Sequence, residues 1–150
     1  MIQRKQTIFL FLSFIIILLC LCFPIGWLES KGMGTPSNMT NLWIEGANEA
    51  KDFKVWPLFA ILLLSLPCHL FTIFDYKNRK RQIKSCGFYM ILNIIWYGAY
   101  IAMTQIMLKD ITFHFSYAAC LPLVSLILLF LSRQAIKADE ALVRAADRIR

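Results

Sequence analysis

The chain has 150 residues, 59% of them hydrophobic, with sixteen Lys and Arg against nine Asp and Glu and a formal net charge of +7. That length holds one domain and leaves no room for a separate soluble catalytic module. The basic residues lie in short segments between long apolar runs rather than in one patch, so the charge does not point to nucleic acid.

Four runs without Asp, Glu, Lys or Arg stand out: Ile8–Leu28, Val55–Phe74, Gly87–Leu108 and Phe115–Ser132. Each has about 18–22 residues, enough for a helix to cross a hydrocarbon core of ~30 Å. The first follows Arg4 and Lys5 as a signal peptide would. It is longer than a typical signal core and lacks a small-x-small cleavage site, so it is read as an uncleaved helix with Pro24 and Gly26 near its outer mouth. An outer loop, 29–54, opens with turn formers and continues as Asn41-Leu42-Trp43-Ile44-Glu45. That stretch is expected to form a short strand or an interfacial segment anchored by Trp43.

The second run carries Pro57 in its first turn and Pro67 in its interior, where a kink is expected two residues before His69. A basic inner loop, 75–86, leads to the third run. The connection Lys109–His114 is so short that the third and fourth helices should be antiparallel neighbours. Beyond Ser132 the tail 133–150 has no Gly or Pro, and Leu142, Ala146 and Ile149 share a helical face beside the pair Glu140 and Arg144. It is read as an amphipathic helical extension. The expected fold is therefore all-α: a bundle of four transmembrane helices in a single membrane domain, 1–150.

Twelve of the sixteen Lys and Arg fall in the N-terminus, the inner loop and the tail. By the positive-inside rule both termini are expected in the cytoplasm, and anionic lipids are expected at that face. The five cysteines include no Cys-x-x-Cys pair, and His69 and His114 have no in-span carboxylate to complete a metal site. No nucleophile motif or phosphate loop is present, so no catalytic, cofactor or metal residues are assigned and no cofactor is expected. Ser13, His69, Asn93 and Ser125 lie at one depth, about 8–10 Å from the cytoplasmic ends of their helices. They form an expected intramembrane polar layer, with His69 and Asn93 close together because a short loop joins their helices. A second expected surface, for a partner, comprises Arg4, Asp139, Glu140, Arg144, Asp147 and Arg148, with Arg4 clasping an acid of the tail.

Two terminal stretches carry a family likeness. Met1-Ile2-Gln3-Arg4-Lys5-Gln6-Thr7 and Ala138-Asp139-Glu140-Ala141-Leu142-Val143-Arg144-Ala145-Ala146-Asp147-Arg148-Ile149-Arg150 resemble the bacterial family called domain of unknown function 4293. Lys5 departs from the apolar residue expected at its position. The resemblance implies a small four-span protein of the bacterial inner membrane and no established activity. Residues and resemblance together point to a non-enzymatic accessory or scaffold protein that binds a membrane or cytoplasmic protein, or another copy of itself, through its cytoplasmic face. The alternative is a small transporter or channel with a polar site around His69 and Asn93.

Overall fold

The computed structural model describes residues 5–30, 36–46, 50–75, 78–107 and 111–148. Four helices dominate them: α1 (Lys5–Cys22), α2 (Trp56–Phe74), α3 (Arg79–Met107) and α4 (Leu121–Arg148). Those built on α2, α3 and α4 are long and apolar enough to cross a membrane. α1 is a shorter apolar helix of 18 residues, spanning about 27 Å at the helical rise. α1 packs on α2 and α4, and α3 on the same two, so the helices close into an antiparallel ring.

Buried positions on each helix alternate three and four residues apart. On α1 they are Gln6, Leu10, Ser13, Ile17 and Cys20; on α2, Leu58, Leu62, Ser65, His69 and Thr72; on α3, Gln82, Cys86, Tyr89, Asn93, Trp96 and Tyr100, with Leu92 buried beside Asn93; on α4, Pro122, Ser125, Leu129, Ser132 and Ile136. A mean period of 3.5 keeps one seam facing the axis only if the helices wind around each other left-handedly. The opposite faces are apolar and open: Phe11, Leu64, Phe71, Ile94, Ile101 and Ile127 are all exposed. Such an inverted pattern, with polar groups inside and large hydrophobes outside, suits lipid rather than water.

The all-α expectation needs correction at one end of the bundle. Five short strands, β1 (Gly26–Ser30), β2 (Ser37–Met39), β3 (Ile44–Glu45), β4 (Lys51–Asp52) and β5 (Ile111–Phe115), form an antiparallel sheet in the order β4-β3-β2-β1-β5. The first apolar run therefore divides. Its helix stops at Cys22, because Pro24 has no N–H to extend the ladder, and Gly26–Leu28 become strand. The fourth run likewise loses Phe115 to β5, whose register sets Gly26 against Phe115 and Trp27 against His114. The described parts of what reads in sequence as the loop 29–54 and a short connection join one folded cap. The α3 helix starts at Arg79, inside the expected inner loop, and α4 runs unbroken past Ser132 into the tail.

The core has two parts. At the sheet end Ile17, Cys20, Ile25, Met39, Leu58 and Trp96 pack together, and at the terminal end Leu10, Cys86, Tyr89, Leu129 and Ile136 do so. Gly26 shows how tightly β1 meets β5: a Cβ there would lie 2.4 Å from the ring of Phe113 and 2.9 Å from the His114 carbonyl oxygen. At Gly98, on α3, a Cβ would meet nothing within 4 Å. Gly26→Ala is expected to cost about 1–3 kcal/mol by overpacking. Gly98→Ala should instead stabilise by about 0.5–1 kcal/mol through helix propensity. Unfolding in detergent micelles reads both, and equal effects would contradict the packing described.

Candidate functional site

Between the two core clusters lies a layer of polar side chains. His69 and Ser125 are fully buried, as is Ser13. The Nδ1 of His69 stands 2.8 Å from the carbonyl oxygen of Ser65, one turn earlier on α2. A carbonyl can only accept, so Nδ1 carries a proton, and in the neutral imidazole Nε2 is then the acceptor. The Ser13 hydroxyl donates to Nε2 at 3.4 Å and accepts from Ser125 at 2.7 Å, linking α2, α1 and α4 through one chain of bonds. The Tyr89 ring of α3 stacks on the imidazole with centroids 4.4 Å apart, and its hydroxyl donates to the Cys68 carbonyl at 2.7 Å. Thr72 lies 2.7 Å from the same hydroxyl.

Asn93 sits on the same seam but does not bond His69 among the described residues. Its Nδ2 donates to the Tyr89 carbonyl of its own helix at 2.9 Å, and its Oδ1 has no partner among the described residues. A short loop brings two helices together without fixing their phase, and the face that meets His69 presents Tyr89. Ser13, His69 and Ser125 are thus brought together, with Asn93 beside them.

Sequence reasoning missed two further polar groupings. At the sheet end Asn41 is fully buried. Its Nδ2 donates to the Cys20 carbonyl at 2.6 Å, its Oδ1 accepts from the Trp96 indole at 3.1 Å, and its backbone carbonyl accepts from Phe59 N–H at 3.1 Å. At the terminal end Gln6 is 2% exposed, and neither atom of its carboxamide is bonded among the described residues. Gln82 Oε1 and Arg133 Nε are buried and unpartnered there as well. Gln6 and Gln82 carry a signal that could have found them: both continue the three-four spacing of the buried seam. Asn41 carries none, because its role depends on Trp96, far along the chain.

The terminal end also carries the chain's charged surface. Arg79 donates to the Asp139 carbonyl at 2.9 Å, fastening the start of α3 to α4. Arg144 pairs with Glu140 on the outer side of α4, and Arg81 pairs through two nitrogens with Asp75. The Arg81 guanidinium holds the Asp75 carboxyl below the ordinary aspartate range. Of the expected partner surface, Glu140 and Arg144 share one face of α4, while Asp139 takes part through its backbone carbonyl. Arg4 lies outside the described residues, as do the side chains of Asp147 and Arg148, and with them the proposed clasp between the termini. The described cysteines are all free thiols, and no group of three or more His, Cys, Asp or Glu among the described residues is placed to hold a metal ion.

Residues 2–149 match the family described as Domain of unknown function (DUF4293). The chain belongs to this family. No curated protein matches it. Family membership covers nearly the whole chain and brings no activity with it, so the chemistry of this member must come from its own geometry.

The unequal bonding of His69 and Asn93 can be tested. Asn93→Leu removes an unsatisfied carbonyl oxygen at similar volume and should be neutral or stabilising. His69→Ala loses a stacked, fully buried ring and should cost about 2–4 kcal/mol. Thermal unfolding of the two variants distinguishes them, and a large loss for Asn93→Leu would show that Oδ1 has a partner after all. The Asp75 pair gives a second test. With its carboxyl depressed in the folded state, the pair's contribution is present above the unfolded aspartate value of about 3.9 and is lost only as pH falls through the lower folded value. Carboxyl NMR should show the Asp75 midpoint below that value and moved up by Arg81→Gln. No movement would mean that Arg81 does not set it.

Proposed function

We propose that this family member is a multi-pass protein of the bacterial inner membrane, with both termini cytoplasmic, that acts without catalysis by docking a protein partner on its cytoplasmic face. The observation that carries this reading is the single helix α4, which continues well beyond its apolar part and is fastened to α3 through Arg79 and Asp139. The segment so held presents Leu142 and Val143, 71% and 45% exposed, beside Arg144. Arginine is enriched in interface hot spots, and the aliphatic pair beside it offers apolar area for a partner to bury. The charge asymmetry of the sequence supports placing this face in the cytoplasm.

The alternative, a transporter or channel centred on His69 and Asn93, has one observation in its favour, the unpartnered Asn93 Oδ1. Against it, Ser13, His69 and Ser125 use their polar atoms on one another and on the backbone. That arrangement supports interhelical fastening more than passage of a solute.

A photo-crosslinking residue at Leu142 of the full-length chain, activated in native membranes, tests the docking reading. One defined protein adduct is expected, reduced about tenfold by Arg144→Ala and unchanged by Asn93→Leu. Adducts to lipid alone would overturn it.

A further inference from the structure

Two clefts at the terminal end meet at one residue and differ in chemistry. The first, of about 710 Å³, lies between the start of α3 and the extension of α4. Arg79, Lys80, Arg81 and Arg144 line it against one carboxylate, Glu140. Glu140 is taken up by Arg144, and Asp75 by Arg81. Arg79 gives a hydrogen bond to a neutral carbonyl, and among the described residues neither Arg79 nor Lys80 meets a carboxylate. The cleft therefore has positive charge in excess of its own counterions.

The second cleft, of about 490 Å³, is a groove between α2 and α3. Cys68, Phe71 and Phe74 form one wall and Ser85 and Tyr89 the other. Phe71 and Phe74 are each 74% exposed. Of the groove's polar groups, Tyr89 is engaged with Thr72 and the Cys68 carbonyl, the Thr72 carbonyl with Gln82, and the Asp75 carboxylate with Arg81. The most open part of its wall is the aromatic pair Phe71 and Phe74. Arg81 borders both clefts.

We infer that the two clefts form one site for an anionic phospholipid of the adjoining leaflet. The phosphate sits among Arg79, Lys80 and Arg81, and one acyl chain lies in the groove between Phe71 and Tyr89. Basic side chains at a helix mouth attract acidic head groups, and the groove removes acyl methylenes from competing contacts, so each half selects one half of the same molecule. An acidic peptide or a free phosphate ester would satisfy the basic cleft alone and leave the groove unused. The site does not depend on a protein partner, and its test contains none.

Full-length protein purified in detergent is titrated with dioleoyl phosphatidylglycerol and, separately, dioleoyl phosphatidylcholine, and bound lipid is counted by native mass spectrometry. Phosphatidylglycerol should be retained about tenfold better. Lys80→Glu, at an exposed position, should bring it down to the level of phosphatidylcholine without affecting the latter. Ser85→Trp should fill the groove and weaken both. Equal retention of the two lipids by the wild type would overturn the proposal, as would an unchanged preference in Lys80→Glu with helicity intact. Displacement of phosphatidylglycerol by glycerol 3-phosphate or by a polyglutamate peptide would assign the cleft to a soluble anion instead.

Discussion

Backbone groups released where a helix ends in or near lipid must find partners, and Asn41 answers that constraint for the sheet end of the bundle. The last turn of α1 leaves the Cys20 carbonyl unpaired by its own helix, since Pro24 has no N–H to offer it. Asn41 supplies the donor, then uses its other atom to take the Trp96 indole proton and its backbone carbonyl to take the Phe59 N–H. One residue of the cap thereby touches α1, α2 and α3. Tyr100 adds a parallel fastening, its hydroxyl donating to the Ile25 carbonyl at 2.9 Å while its ring stacks on Trp96. Without these bonds the cap would be a set of two- to five-residue strands, too short to hold together by their own ladders.

The bundle below follows a different rule. In lipid, apolar residues gain little by turning inward, so small and polar side chains can join the buried Leu and Ile at the axis while many large aliphatics face out. Ser13 and Ser125 are the clearest case. Their small side chains let α1 and α4 approach, and the hydroxyl bond between them is made only at that closeness. His69 completes the layer because its second nitrogen is occupied by its own backbone one turn back, leaving a single acceptor to be matched. Bonds of this kind are individually weak, about 0.6 kcal/mol, and their effect is to choose a register more than to add stability.

Several of these features were legible in the sequence and others were not, for physical reasons. Long uncharged runs reveal helices directly, because length and composition are local properties. The common depth of Ser13, His69 and Ser125 was also readable, since helical rise converts position into height. The cap was not. Gly26–Leu28 look like the end of a span because they are apolar, and pairing with Ser37–Met39 on one side and Phe113–Phe115 on the other makes them strand. Local composition carries no trace of a partner so far along the chain. That His69 bonds Ser13 and stacks on Tyr89 without bonding Asn93 has a related cause. Rotation about the helix axis decides which neighbour is met, and α3 turns Tyr89 toward the imidazole.

The two ends of the bundle are finished to different degrees, and this bears on where the protein acts. At the sheet end the buried polar atoms of Asn41, Trp96 and Tyr100 are paired, around a cluster of aromatic and aliphatic side chains. Toward the terminal end Gln6, Gln82, Asn93 and Arg133 each keep at least one buried polar atom without a partner among the described residues. An unsatisfied buried group costs about 1–3 kcal/mol, so a chain selected only for stability would gain from apolar residues at these positions. Their retention concentrates uncompensated polarity in the half of the molecule that also holds both clefts and the exposed side of α4. The cap and the His69 layer fix the helices from one side, and the end they leave open is the one chemically prepared to receive something else.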